Sequence, residues 1–213
     1  MFRYMFDSNL QVSGSNIKNM PYAEFIGDQA AKYLKFDTSM ITDASYMFSG
    51  YKGSSFPQLS WESVTNISQM FYSASNMVRL PNFNFKKLTN FGGSSYSSWL
   101  YGCTLIESIG VIDCDSITNV GYAFGGSSNS NLKHLGGFMN LGKASSVSNT
   151  NGSYFLAYAP NLTYESVINI LNGLYDRASA GLSVLTLKLH ANHMAMLSDE
   201  DKAIATNKGW TLS

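Results

Sequence analysis

A chain of 213 residues is long enough for one domain or two small ones, and 45% hydrophobic content lets it bury a sizeable core, which excludes wholesale disorder. Charged residues make up only 13%, against roughly a quarter in an ordinary soluble protein, so the surface must be polar but largely uncharged. Lys plus Arg and Asp plus Glu each total 14, which leaves no basic excess to neutralise phosphates or to hold an anionic membrane; no nucleic-acid partner is expected.

The N-terminal run Met1-Phe2-Arg3-Tyr4-Met5-Phe6-Asp7 has no charged stretch leading into an apolar segment, so no secretory signal is expected in this chain. A signal removed earlier, another export route and no export at all stay open. No run of about 18 apolar residues occurs, so no transmembrane helix or membrane insertion is expected.

Internal repetition is the strongest signal. From residue 36 a unit recurs with the form apolar, Thr-Asn/Asp, then Met-Phe-x-Gly-small. The first copy has Thr42-Asp43 and Met47-Phe48-Ser49-Gly50; the second has Thr65-Asn66 and Met70-Phe71. The third has Thr89-Asn90 and Trp99-Leu100-Tyr101-Gly102-Cys103, the fourth Thr118-Asn119 and Ala123-Phe124, and a weaker fifth places Phe155-Leu156 in the Met-Phe slot. The anchors Phe48, Phe71, Leu100, Phe124 and Leu156 are separated by 23, 29, 24 and 32 residues, and a step of 23 back from Phe48 lands on Phe25. Residues 1–35 therefore read as a degenerate first repeat or N-terminal cap, and 36–162 as the repeats. A second apolar group follows each anchor: Phe56 and Leu59, Val78 and Leu80, Ile106 and Ile109, Leu132 and Leu135. Such a unit is too short to bury its apolar side alone, so copies must stack on one continuous core. The longer copies carry Gly/Ser/Asn loops at residues 92–98, 125–131 and 145–153.

Combined, the Thr-Asn and Met-Phe-x-Gly-Cys elements resemble the BspA-like leucine-rich repeats of bacterial surface proteins, over roughly residues 16 to 162. Only Cys103 keeps the Cys slot, which holds Tyr51, Ala74, Ser127 and Ala159 in the other copies. The resemblance implies an α/β fold: a right-handed leucine-rich-repeat-like solenoid with short parallel strands, with adhesion or surface recognition as the usual role.

Residues 163–213 read as a C-terminal α/β cap. Thr163 is positioned to N-cap a helix, with Leu162 against Val167 as a hydrophobic staple and Val167, Ile168, Ile170, Leu171 and Leu174 as its apolar stripe, ending near Asp176. Leu185, Leu187 and Leu189 alternate with Thr186 and Lys188 as a half-buried strand. Ser198 caps a second helix with Asp199, Glu200 and Asp201 in its first turn, Lys208-Gly209 closes it, and Trp210-Thr211-Leu212 adds a last strand. This tail resembles the C-terminal ends of many gut-bacterial and gut-phage repeat proteins; its physical task would be to cover the open end of the stack.

Chemistry is sparse. Cys103 and Cys114 can supply neither a disulfide framework nor a four-ligand zinc site and read as small buried hydrophobes. His190 and His193 form a His-x-x-His without a third ligand, and no catalytic residue, metal site or cofactor is assigned. No Gly-x-Ser-x-Gly elbow, phosphate loop or dinucleotide fingerprint occurs. The candidate ligand-binding residues are Tyr51, Tyr72, Tyr96, Trp99 and Tyr101, which lie after the Met-Phe anchors or in the third copy's insertion; the competing reading is core or edge packing. The expected function is a recognition or adhesion module with a protein or glycan partner on a cell surface, extracellular or surface-located. The alternative is a phage or prophage virion component, such as a tail or fibre part.

Overall fold

The structure is a computed structural model and describes residues 38–91, 94–124, 131–152 and 155–213. The expected first repeat at 1–35, with Phe25, lies outside the described residues, as do 92–93, 125–130 and 153 of the Gly/Ser loops. What is described is a mixed α/β arrangement whose short strands pair in parallel; among the described residues no sheet closes into a barrel.

Two three-stranded parallel sheets run through the repeats. One joins β1 (Arg79–Leu80), β3 (Ser108–Ile109) and β5 (His134–Leu135); the other joins β2 (Phe83–Asn84), β4 (Ile112–Asp113) and β6 (Phe138–Met139). The register pairs like with like, Leu80 with Ile109 and Leu135, Phe83 with Ile112 and Phe138. All six of those side chains are buried, while Arg79 and His134 alternate outward, as the two-residue period of a strand requires. The expected second apolar group is present with one correction. Val78 is only half-buried, and Met77 fills the inward slot that Ile106 and Leu132 fill in the next units.

The Thr-Asn pair recurs because each residue makes a bond that stacking needs. The carboxamide or carboxylate oxygen closes a local turn: Asp43 Oδ1 accepts from the Ser45 amide at 2.9 Å, Asn66 Oδ1 from Ser68 at 3.0 Å and Asn119 Oδ1 from Gly121 at 2.8 Å. The hydroxyl joins neighbouring units. Thr65 Oγ1 donates to the Thr42 carbonyl at 3.1 Å, Thr118 Oγ1 to Thr89 at 3.2 Å and Ser148 Oγ to Thr118 at 3.2 Å. Each contributes about 0.5–1.5 kcal/mol net, so the ladder adds up only by repetition.

The Met-Phe anchors form the centre of the core. Phe48 stacks on Phe71 with centroids 5.6 Å apart, Phe71 meets Trp99 at 6.2 Å, and Phe124 stacks on Phe155 at 5.9 Å. The backbone ladders here as well: Phe48 N donates to the Met70 carbonyl at 2.9 Å and Phe71 N to the Trp99 carbonyl at 2.9 Å. Trp99 thus occupies the Met slot, and its indole Nε1 donates to the Ala123 carbonyl at 2.8 Å.

In the C-terminal part, α1 (Tyr164–Gly173) begins where expected, with Thr163 Oγ1 accepting from the Ser166 amide and Leu162 and Val167 both buried. It ends at Gly173 rather than near Asp176, because Leu174 leaves the helix to pair in parallel with Leu141 and the Tyr175 amide donates to the Leu141 carbonyl at 2.9 Å. The following elements are β7 (Leu185–Leu187), α2 (Ala191–Met196), α3 (Asp199–Thr206) and β8 (Trp210–Leu212), with β7 and β8 parallel. Of these, α2 is an element the sequence pattern does not announce. Ser198 and Asp201 form the capping box of α3.

This part is tied to the last repeats by polar as well as apolar contacts. The Leu135 amide donates to Ser166 Oγ at 3.0 Å. Arg177 is fully buried, and its guanidinium donates to the carbonyls of Ser183 at 2.7 Å, Ala144 at 2.8 Å and Ser145 at 3.0 Å and also to that of Gly142. Its five donors suit a site that must satisfy several carbonyls from one side chain. One hydrophobic cluster runs without a break from Ala44 to Trp210.

Candidate functional site

Among the described residues no helix is long and apolar enough to cross a membrane, and no group of three His, Cys, Asp or Glu could hold a metal ion. His190 and His193 come within 5.8 Å of each other, but His190 is the N-cap of α2, its Nδ1 accepting from the Asn192 amide, while His193 is fully buried. Cys103 and Cys114 are both free and buried; burial pushes the Cys103 thiol up to about 12 and the Cys114 thiol well above its ordinary value. Neither can act as a thiolate near neutral pH.

The densest charge cluster among the described residues lies where β4 passes between its neighbours. Lys86 Nζ pairs with the buried Asp113 carboxylate and reaches Asp115 at 3.5 Å, while Lys143 Nζ at 3.0 Å and Asn140 Nδ2 at 2.7 Å hold Asp115 Oδ1. The Lys143 hydrogen bond, supported by Lys86, holds the Asp115 carboxyl below its usual range, and the Asp113 hydrogen bond raises Lys86. Every charge in the group already has a partner, so the cluster is a clasp between successive units.

The five aromatic candidates divide into two sets. Tyr51 and Trp99 are buried to within 1% and belong to the core, so neither ring can meet a ligand. Tyr51 stands in the slot of Ala74 and Cys103, both buried, and its hydroxyl donates inward to the Ser55 carbonyl at 3.0 Å. Tyr72 and Tyr101, each one residue after its anchor, are half-buried at the surface and stack with centroids 5.4 Å apart and planes only 5° from parallel. Tyr96, 70% exposed, continues from Tyr101 at 5.6 Å, and Tyr46 continues from Tyr72 at 6.3 Å. Four rings thus follow one another in the order Tyr46, Tyr72, Tyr101, Tyr96.

Backbone geometry builds this row. The Ser73 amide donates to the Tyr101 carbonyl at 2.8 Å and the Gly50 amide to the Tyr72 carbonyl at 2.7 Å, so the residue after the anchor is held in register from unit to unit. Tyr96 is placed by a short 3-10 turn, Ser95–Ser97, with Ser94 and Ser97 in a capping box. Tyr46 is the member that sequence reasoning missed. It lies two residues before its anchor in a left-handed conformation, φ 56°, shared at the same position by Gln69 and Tyr122, and that corner turns its ring onto the face that Tyr72 occupies. The signal that could have found it is the slot itself, which holds Tyr twice.

The arrangement offers aromatic ring surface together with phenol hydroxyls. No protein family, no curated protein and no solved structure matches this chain.

Proposed function

We propose that this chain is a non-catalytic recognition or adhesion module, a right-handed leucine-rich-repeat-like solenoid that carries its binding surface on the face formed by Tyr46, Tyr72, Tyr101 and Tyr96. The observation that carries the reading is the continuous contact of those four rings, with Tyr72 and Tyr101 stacked at 5.4 Å. Rings used only to fill a core would be buried, as Tyr51 and Trp99 are; large aromatic groups held rigidly at a surface are the usual anchors of interfaces. Parallel pairing of equivalent residues in successive units supports the solenoid, since each added unit extends a sheet by one strand. The partner is a protein or a glycan presented on a cell surface.

The test is capture from host and bacterial surface extracts on immobilised wild-type chain, beside Tyr96→Ala and Tyr101→Ala variants whose melting curves match wild type. The reading predicts at least one partner retained by wild type and lost from both variants. Equal retention by all three proteins removes this face as the site.

A further inference from the structure

We infer that the ligand of the tyrosine row is a neutral glycan, an extended chain of hexose units lying along Tyr72, Tyr101 and Tyr96; this rests on the recognition reading above. Three properties of the row select that chemistry. First, among the described residues the hydroxyls of Tyr72, Tyr96 and Tyr101 have no hydrogen-bond partner, although each phenol can both donate and accept. A polyol chain supplies donors and acceptors at every sugar, which matches hydroxyls that recur at a fixed step.

Second, the step suits the ligand. Ring centroids lie 5.4 and 5.6 Å apart, comparable to the length of one pyranose in an extended chain. Tyr72 and Tyr101, stacked on each other, stay half-buried, while the 70% exposed Tyr96 offers the most open ring to the C–H side of a sugar.

Third, the chain on either side of these tyrosines is uncharged. The residues that follow these tyrosines in the chain are Ser73, Ser97 and Gly102, those that precede them are Phe71, Ser95 and Leu100, and Ser75 and Ser94 are exposed close by in sequence. An anionic ligand would find no cation in that set.

The experiment is affinity electrophoresis and calorimetry of the full chain against neutral polysaccharides (β-glucan, mannan and galactan) and one anionic polysaccharide, polygalacturonate. The expected result is binding to at least one neutral chain and not to the anionic one, with affinity at least about tenfold weaker in Tyr101→Ala. Tyr101→Phe, which keeps the ring and removes the hydroxyl, should fall between the two; Tyr96→Ala, at an exposed position, provides a second loss with no folding hazard. Binding that is equal in wild type, Tyr96→Ala and Tyr101→Ala overturns the inference, as does preference for the anionic polymer. If no polysaccharide binds while a protein captured by wild type is lost from Tyr101→Ala, the glycan is wrong and the recognition face stands. If neither is bound, both readings fail together.

Discussion

Gly173, the last residue of α1, lies directly on the carbonyl of Phe138 in β6, so close that a Cβ at that position would overlap the oxygen. One turn earlier, Gly137, at φ 104°, faces the Asn169 carbonyl in the same way. Two glycines, one on each partner, therefore let the helix approach the last strands of the repeats. Gly173→Ala replaces a hydrogen by a methyl against backbone that cannot rotate away. It should destabilise by about 1–3 kcal/mol, read as a lower urea midpoint at unchanged slope. A midpoint within error of wild type would show that α1 does not sit this close.

Phe71 is the hub of the aromatic core, with Phe56 at 4.9 Å, Phe48 at 5.6 Å and Trp99 at 6.2 Å, and it has no solvent exposure. Phe71→Ala should cost about 3–5 kcal/mol, and because neighbouring units share these contacts, hydrogen-exchange protection should fall in the flanking units as well. A loss below about 1 kcal/mol would contradict the packing.

The repeat was legible because its two recurring pairs answer to local rules. Thr65-Asn66 and Thr118-Asn119 each spend one side chain on a turn and one on the preceding unit, and the Phe slot is large and apolar in every copy. The surface was half legible. Tyr72 and Tyr101 share a slot, so their stacking could be anticipated, whereas Tyr51 had to be read by its offset from Phe48: three residues on, the position of buried Ala74 and Cys103, the backbone faces inward. Trp99 misled because an aromatic beside a Ser-rich loop suggests exposure, while the anchor register, set by Phe71 bonding to its carbonyl, puts it in the core. Arg177 and α2 gave no periodic signal. One is a single residue whose partners are carbonyls from the 142–145 segment and Ser183, and the other, at 6 residues, is too short for an apolar stripe to be distinguished.

His193 makes the stability of the C-terminal part depend on pH. Its ring is fully buried and neither nitrogen makes a hydrogen bond of good geometry. Burial is the main influence holding its pKa below the ordinary 6.5, and the His190 ring acts in the same direction; the Pro160 carbonyl opposes them. The folded state thus takes up a proton less readily than the unfolded chain, so stability is complete above about pH 6.5 and declines as pH falls below it, with a limiting slope of about 1.4 kcal/mol per pH unit for one proton. Carboxylates held low, Asp115 among them, add a separate loss at more acid pH. Urea midpoints between pH 7.5 and 5 should fall for wild type and stay flatter for His193→Leu; parallel curves would assign the acid sensitivity to another group.

Residues 163–213 should be indispensable for solubility. The end of the repeats that they cover includes Leu135, Phe138, Leu141 and Leu162, all buried, and the α1 side chains that cover it, Val167, Ile170 and Leu171, are equally buried. Removing the segment uncovers an apolar end surface. It also leaves without their donors the carbonyls of Lys133, Leu141 and Ala144, which now accept from Thr163, Tyr175 and Arg177. The strand edges at β5 and β6 would then be open for pairing with another copy, since α1 packs on both. A chain ending at residue 162 should therefore aggregate or form mixed oligomers rather than yield a smaller folded protein, as seen by light scattering and size exclusion at matched concentration. Restoring the missing segment as a separate polypeptide should recover solubility only if it still carries the Thr163 cap and Arg177, because these make the bonds to the exposed carbonyls. A monomeric 1–162 fragment that melts cooperatively would mean that the repeats close their own end, and the segment would then have to be explained as something other than a cap.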